Sequence, residues 1–170
     1  GALYSNFSGK EDLFLSLFER SAQADVRDYS EIFATQAAPE QKTRAVADLW
    51  MQILRERPHY FPLVIEFWAY AMREPRLRES LAARFTTLRS ASTRLIMEGA
   101  EQRGIQISEQ SAERLSTVIT SLGNGLALQK LIDPQIVDDE LYGDTLVLLF
   151  KALEALAIQH GAEQRSKGEE

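Results

Sequence analysis

Four prolines and one glycine cut this sequence into pieces that read as helices. Pro39, Pro58, Pro75 and Pro134 each remove a backbone donor, and Gly104 suits the left-handed conformation that closes a helix. Between these stops apolar residues recur three and four positions apart, and apolar–polar alternation persists nowhere. The spacing predicts helices over residues 10–36, 40–57, 59–73, 75–103, 108–132 and 138–159, after the end of another over residues 1–7. The expected fold is all-α, a helical bundle.

Each piece carries its own signals. Ser8 is an N-cap with Glu11 three residues on, a capping box, and Glu11 and Asp12 put negative charge where the helix dipole favours it. Leu13, Phe14, Leu17 and Phe18 open an apolar stripe that thins through Val26, Tyr29, Ile32 and Phe33. In residues 59–73, Phe61, Val64, Ile65, Trp68 and Met72 share one face, while Leu63, Phe67 and Tyr70 lie on another. A helix apolar nearly all round is expected to be buried. Residues 75–103 are amphipathic, with Leu77, Leu81, Phe85, Leu88, Leu95 and Ile96 inward and an arginine-rich solvated face outward. Ser108 and Ser111 are both candidate caps for the next helix. Asp138, Asp139 and Glu140 load the start of the last one, and residues beyond 160 read as a disordered tail.

Composition excludes several function classes. With no cysteine, thiolate metal sites, disulfides and cysteine nucleophiles are ruled out, and His59 and His160 share no ligand spacing. There is no signal peptide, no apolar run of transmembrane length and no Gly-rich phosphate loop, so a cytoplasmic chain without a cofactor or membrane partner is expected. Serine, histidine and aspartate are present, but nothing resembles a nucleophile elbow, and Glu66 and Glu74, eight apart, are not a dyad; no enzyme is expected. A net charge of −6 and a pI near 5.1 have the wrong sign for a chain that wraps nucleic acid.

The N-terminal stretch nevertheless carries a motif. Leu3-Tyr4-Ser5-Asn6-Phe7, followed by Lys10-Glu11-x-Leu13, resembles the end of the DNA-binding domain in the TetR family of bacterial transcriptional regulators. The motif covers about the first fifteen residues, and the later helices are similar to the family's regulatory domain in number and order. In the family, two further helices and the start of the recognition helix come before this motif, so the chain is expected to belong to a longer one. The resemblance divides it into the end of a helix-turn-helix domain (residues 1–12), an effector-binding and dimerisation domain (13–160) and a tail (161–170). It implies DNA contact by Tyr4, Ser5, Asn6 and Lys10: Tyr4 and Lys10 to the phosphate backbone, with Asn6 at a position that often approaches the DNA.

Two constellations bear on the regulatory part. Most of the aromatic residues over 50–85 suit an ordinary core. The sharper reading is a ligand cavity lined by Trp50, Met51, Leu54, Phe61, Ile65, Phe67, Trp68, Met72, Phe85, Leu88 and Asn124, with Glu66 and Gln129 as further polar candidates. It would lie among residues 40–57, 59–73 and 75–103, and hold a small lipophilic effector in roughly 300–1,000 Å³. The second is apolar surplus. No charge occurs between Arg114 and Lys130, and the last helix has only a thin charged strip through Asp144, Lys151 and Glu154. A homodimer through Ile119, Leu122, Gly123, Leu126, Leu146, Leu149, Phe150 and Leu153 would cover it. Gly123 and Gly125, each costing about 1 kcal/mol in a helix interior, fit close approach of another helix. The function these readings imply is a ligand-responsive transcriptional regulator, a repressor. The alternative is an all-α homodimeric interaction module with no DNA-binding role, and basic helix-turn-helix residues upstream of Gly1 would decide between them.

Overall fold

The structure is a computed structural model describing residues 10–168, without the side chains of residues 10, 11, 13, 17, 21, 22, 25 and 156–168. The described residues form six helices and no strand: α1 (Lys10–Ala34), α2 (Pro39–Glu56), α3 (Tyr60–Ala71), α4 (Pro75–Glu101), α5 (Glu109–Ile132) and α6 (Leu141–Gly168). The expected all-α class is what the chain adopts. The remnant helix over residues 1–7 and the Ser8 cap lie outside the described residues.

The stops act as their chemistry dictates. Pro39 and Pro75 take the first turns of α2 and α4, where a missing N–H costs nothing. Gly104 has φ of +69°, and Ile105 N–H reaches back to Ala100 O at 2.9 Å, the six-to-one bond of a left-handed helix end. Of the two candidate caps, Ser108 is the one used: its hydroxyl accepts from Ser111 N–H at 3.2 Å. α6 differs from expectation at both ends. It starts at Leu141, because Asp138 Oδ1 accepts Leu141 N–H at 2.7 Å and so precedes the helix as its cap. Its backbone stays helical to Gly168, through residues expected to be a tail. Asp139, in the same turn, is engaged by Lys130 at 3.1 Å and by Arg55; the hydrogen bond from Lys130 holds its carboxyl below the usual carboxylate range.

Two apolar clusters form the core. In one, Leu15 of α1, Phe67 and Ala71 of α3, and Leu77 and Leu81 of α4 are buried, and Phe14 stacks on Phe67 with ring centroids 4.8 Å apart. In the other, Ala47 and Met51 of α2 pack with Val137, just before α6, and with Tyr142 and Leu146 at its start, flanked by Leu122 and Leu126 of α5. α3 is not buried all round. Phe61, Val64, Phe67 and Ala71 face inward, but Leu63, Tyr70 and Met72 are exposed, because among the described helices it packs chiefly against α1 and α4.

Candidate functional site

A cavity of about 190 Å³ lies where the two clusters meet, and every helix contributes to its wall. Phe18, Tyr29 and Phe33 come from α1; Thr43, Val46 and Trp50 from α2; Tyr60, Phe61, Val64 and Trp68 from α3. Phe85, Leu88, Ser92, Leu95 and Ile96 come from α4, Ser116, Ile119, Thr120, Gly123 and Asn124 from α5, and Tyr142, Leu146 and Phe150 from α6. None of these residues carries a charge. The space is smaller than a drug-sized ligand needs because aromatic rings fill its wall. Five form a continuous chain: Phe18–Phe85 at 5.4 Å, Phe85–Trp68 at 5.6 Å, Trp68–Phe61 at 6.3 Å and Phe61–Trp50 at 5.9 Å, with interplanar angles from 58° to 85°. Edge-to-face contacts of this kind are the favoured aromatic geometry.

Three side chains of the wall have their polar groups engaged within the protein. Trp50 Nε1 donates to Gly123 O at 3.3 Å, and Tyr142 Oη donates to Ile119 O at 3.2 Å. Thr43 Oγ1 donates to Pro39 O at 3.0 Å and accepts from Arg103 at 2.7 Å. By contrast, the buried Trp68 Nε1 and Ser116 Oγ have no hydrogen-bond partner among the described residues.

Burial pushes the Tyr142 hydroxyl well above its ordinary value. Below about pH 10 the phenol is neutral in both states and the shift has no effect. Above that the unfolded chain loses the proton first, so folding stability falls as pH rises, by up to about 1.4 kcal/mol per pH unit. Tyr142→Phe is expected to lessen this alkaline slope while costing about 1 kcal/mol at neutral pH for the lost bond to Ile119 O. Urea unfolding of both proteins between about pH 8 and pH 11 checks it; identical slopes would contradict it.

Six of the residues singled out from the sequence as cavity lining meet here: Trp50, Phe61, Trp68, Phe85, Leu88 and Asn124. The other five are elsewhere. Met51 is buried in the α2–α6 cluster with Leu54 packed beside it, and Phe67 is buried against α1 and α4. Ile65 is half-buried away from the cavity, and Met72 is 67% exposed at the end of α3. Glu66 and Gln129 are exposed. Tyr4, Ser5, Asn6 and the Lys10 side chain lie outside the described residues.

The residues assigned to a dimer interface also divide. Ile119, Gly123, Leu146 and Phe150 line the cavity, so they face their own chain. A Cβ on Gly123 would lie 3.0 Å from Tyr142 Oη and 3.4 Å from Trp50 Nε1; the close approach is made by α6 and α2 of the same chain. Leu122 and Leu126 pack on the second cluster, and Leu149 and Leu153 are half-buried. The exposed row of α5 is Val118, Gly125, Leu128 and Ile132, and that of α6 is Leu141, Leu148 and Ala152. The most exposed apolar residues of the two helices thus lie beside those assigned from the sequence. A one-residue step rotates a side chain by about 100°, which changes the face it occupies.

Beside the cavity is a polar junction that sequence patterning does not reveal. Lys42, 6% exposed, donates through Nζ to Phe33 O and to Gln102 Oε1, both at 2.9 Å, closing the end of α1 on that of α4. Arg103 reaches Gly99 O at 2.9 Å, Pro39 O at 2.8 Å and Glu154 at 3.1 Å, with its guanidinium 4.8 Å from the Phe150 ring centre. Among the described residues there is no cluster able to hold a metal ion, and no helix is long and apolar enough to cross a membrane.

The family model for the C-terminal domain of BetI-type transcriptional repressors matches residues 39–146, from the first residue of α2 into α6. No curated protein and no solved structure gives a significant match. The match spans more than half of the chain and takes in four complete helices, including most of the cavity wall. The chain therefore belongs to the TetR family of transcriptional regulators, with a C-terminal domain of the BetI type.

Proposed function

We propose that this chain is the sensing part of a dimeric, DNA-binding repressor acting in the cytoplasm, and that the cavity is its effector site. The observation that carries this is the reach of the cavity: it is uncharged, aromatic, and takes part of its wall from every helix, α1 included. A molecule that fills it changes the packing of α1 against the other five helices. In the architecture the resemblance implies, α1 continues from the DNA-binding head, where Tyr4 and Lys10 would bond phosphate oxygens, Ser5 would add a hydroxyl contact, and Asn6 would lie near the bases. A ligand that binds one arrangement of α1 more tightly shifts the population toward it and alters the spacing of two heads. No catalytic role enters this reading.

The second chain is supplied by the exposed rows. Ile132 is 73% exposed, Leu148 68% and Val118 55%, so each is large, apolar and uncovered. The same rows on a second copy, related by a two-fold axis, would complete a four-helix bundle and bury well over ~1,000 Å² in total. Gly125, where an added Cβ would meet nothing within its own chain, lies in that row and allows a partner helix to approach closely.

The test uses the regulator with its complete N-terminal domain and a palindromic DNA duplex. Fluorescence anisotropy should give an affinity that drops steeply with added salt. A lipophilic compound that alters the emission of Trp50 and Trp68 should change that affinity by fivefold or more, a usual coupling for two linked sites. A compound that fills the cavity and leaves DNA affinity unchanged would refute the sensing role.

A further inference from the structure

Building on the reading of the cavity as an effector site, we infer that its ligand is a compact, uncharged aromatic molecule with one hydrogen-bond-accepting oxygen or nitrogen. Four observations converge on this class.

The first is size. A space of about 190 Å³ is close to the roughly 150 Å³ cavity that takes benzene and well under the ~300 Å³ at which drug-sized ligands begin to fit. One substituted ring suits it. The second is charge. No lining residue is ionisable to a counter-ion at neutral pH, so an ion entering here loses its water and finds no opposite charge. A cation would still be drawn to aromatic faces. In this wall, however, each ring of the Phe18–Trp50 chain already packs on a neighbouring ring, and no acidic side chain is present to pair with a cation.

The third observation is the pair of orphaned polar atoms. Trp68 on α3 and Ser116 on α5 both line the cavity, and both Trp68 Nε1 and Ser116 Oγ are buried without a partner. Ser116 is 1% exposed, so solvent outside the protein does not satisfy it. Buried donors without partners are uncommon and unfavourable. An indole N–H can only donate, so the group that satisfies it must be an acceptor; the serine hydroxyl can give or take a bond. The fourth is contrast. Trp50, Tyr142 and Thr43 already have protein partners, whereas Trp68 Nε1 and Ser116 Oγ have none among the described residues.

The proposal is tested by titrating the full chain, by calorimetry and tryptophan emission, with four compounds of similar size: acetophenone, ethylbenzene, benzoate and benzyltrimethylammonium. Acetophenone should bind at least tenfold more tightly than each of the others. Trp68→Phe and Ser116→Ala should each cut its advantage over ethylbenzene to threefold or less, a loss of selectivity that general damage to the fold does not produce. Tighter binding of either ion, or an acetophenone advantage that survives both substitutions, overturns the proposal. N-Phenyl-1-naphthylamine, a larger neutral dye, separates the two levels. If it binds and the four small compounds do not, the ligand class is wrong and the effector site stands; if nothing binds at millimolar concentration, both fall.

Discussion

Leu148→Glu is expected to convert a dimer of this chain into a monomer that keeps its fold. Leu148 is 68% exposed on α6, so a carboxylate there is solvated in the single chain and harms nothing inside it. In the dimer the same carboxylate enters an apolar interface twice, once from each copy. Losing the burial of two leucine side chains costs about 3–6 kcal/mol, before the cost of desolvating two charges. That is a loss of roughly two to four powers of ten in the dimerisation constant. Leu63→Glu is the control: Leu63 is 46% exposed on α3, away from the α5 and α6 rows, and the variant should remain dimeric. Leu146→Glu separates facing from dimerisation, because Leu146 is 2% exposed in its own chain and the change should unfold the protein instead. Sedimentation velocity at micromolar concentration reads all three. A wild-type monomer, or a Leu148→Glu dimer, would sink the two-headed arrangement.

The second large effect is expected at Arg103. Its side chain is 7% exposed and links the end of α4 to the first turn of α2 and to α6. Arg103→Met keeps the aliphatic stem and removes the bonds to Gly99 O, Pro39 O and Thr43 Oγ1, the ion pair to Glu154 and the contact over Phe150. Pro39 O keeps its bond from Thr43, so not every partner is orphaned. Burial itself lowers the guanidinium pKa, a sign that desolvation already offsets part of what these bonds contribute. The net loss should be about 3 kcal/mol, within the range for removing one member of a buried charged network. For a chain of this length that lowers Tm by roughly 6–12 °C. Glu154→Gln, at a partner 37% exposed, should cost under ~1 kcal/mol. Urea and thermal unfolding distinguish these; an Arg103→Met protein as stable as wild type would show that the junction only decorates the fold.

Helix order and most helix ends were legible in the sequence because their signals are local. A proline removes a donor wherever it stands, and Ser108 and Gly104 act on the backbone within a few residues. What periodicity cannot supply is the rotation of one helix against another. It found the aromatic wall from α2 to α4 but not Phe18, Tyr29 and Phe33 of α1, which are sparse along their own helix and meet the cavity only through tertiary packing. The same limit applies to Leu148, which is exposed beside the half-buried Leu149. Lys42 and Arg103 were invisible for another reason. In a chain rich in surface charge, a buried cation looks like any other until its partners, 60 residues away in the sequence, are known.

The position of the cavity has a consequence for how the domain comes apart. The cluster around Leu15, Phe67 and Leu81 and the cluster around Met51, Tyr142 and Leu146 face each other across a space that protein atoms do not fill. α4 and α5, the most extensively packed pair of helices, join the two clusters, and the chain of rings and the Lys42 and Arg103 junction add to that seam. α3 makes far less contact with α4 than α4 makes with α5, so its amides are expected to exchange before those of α2 and α6. A molecule in the cavity would touch both clusters at once, so that the opening of either would first have to release it.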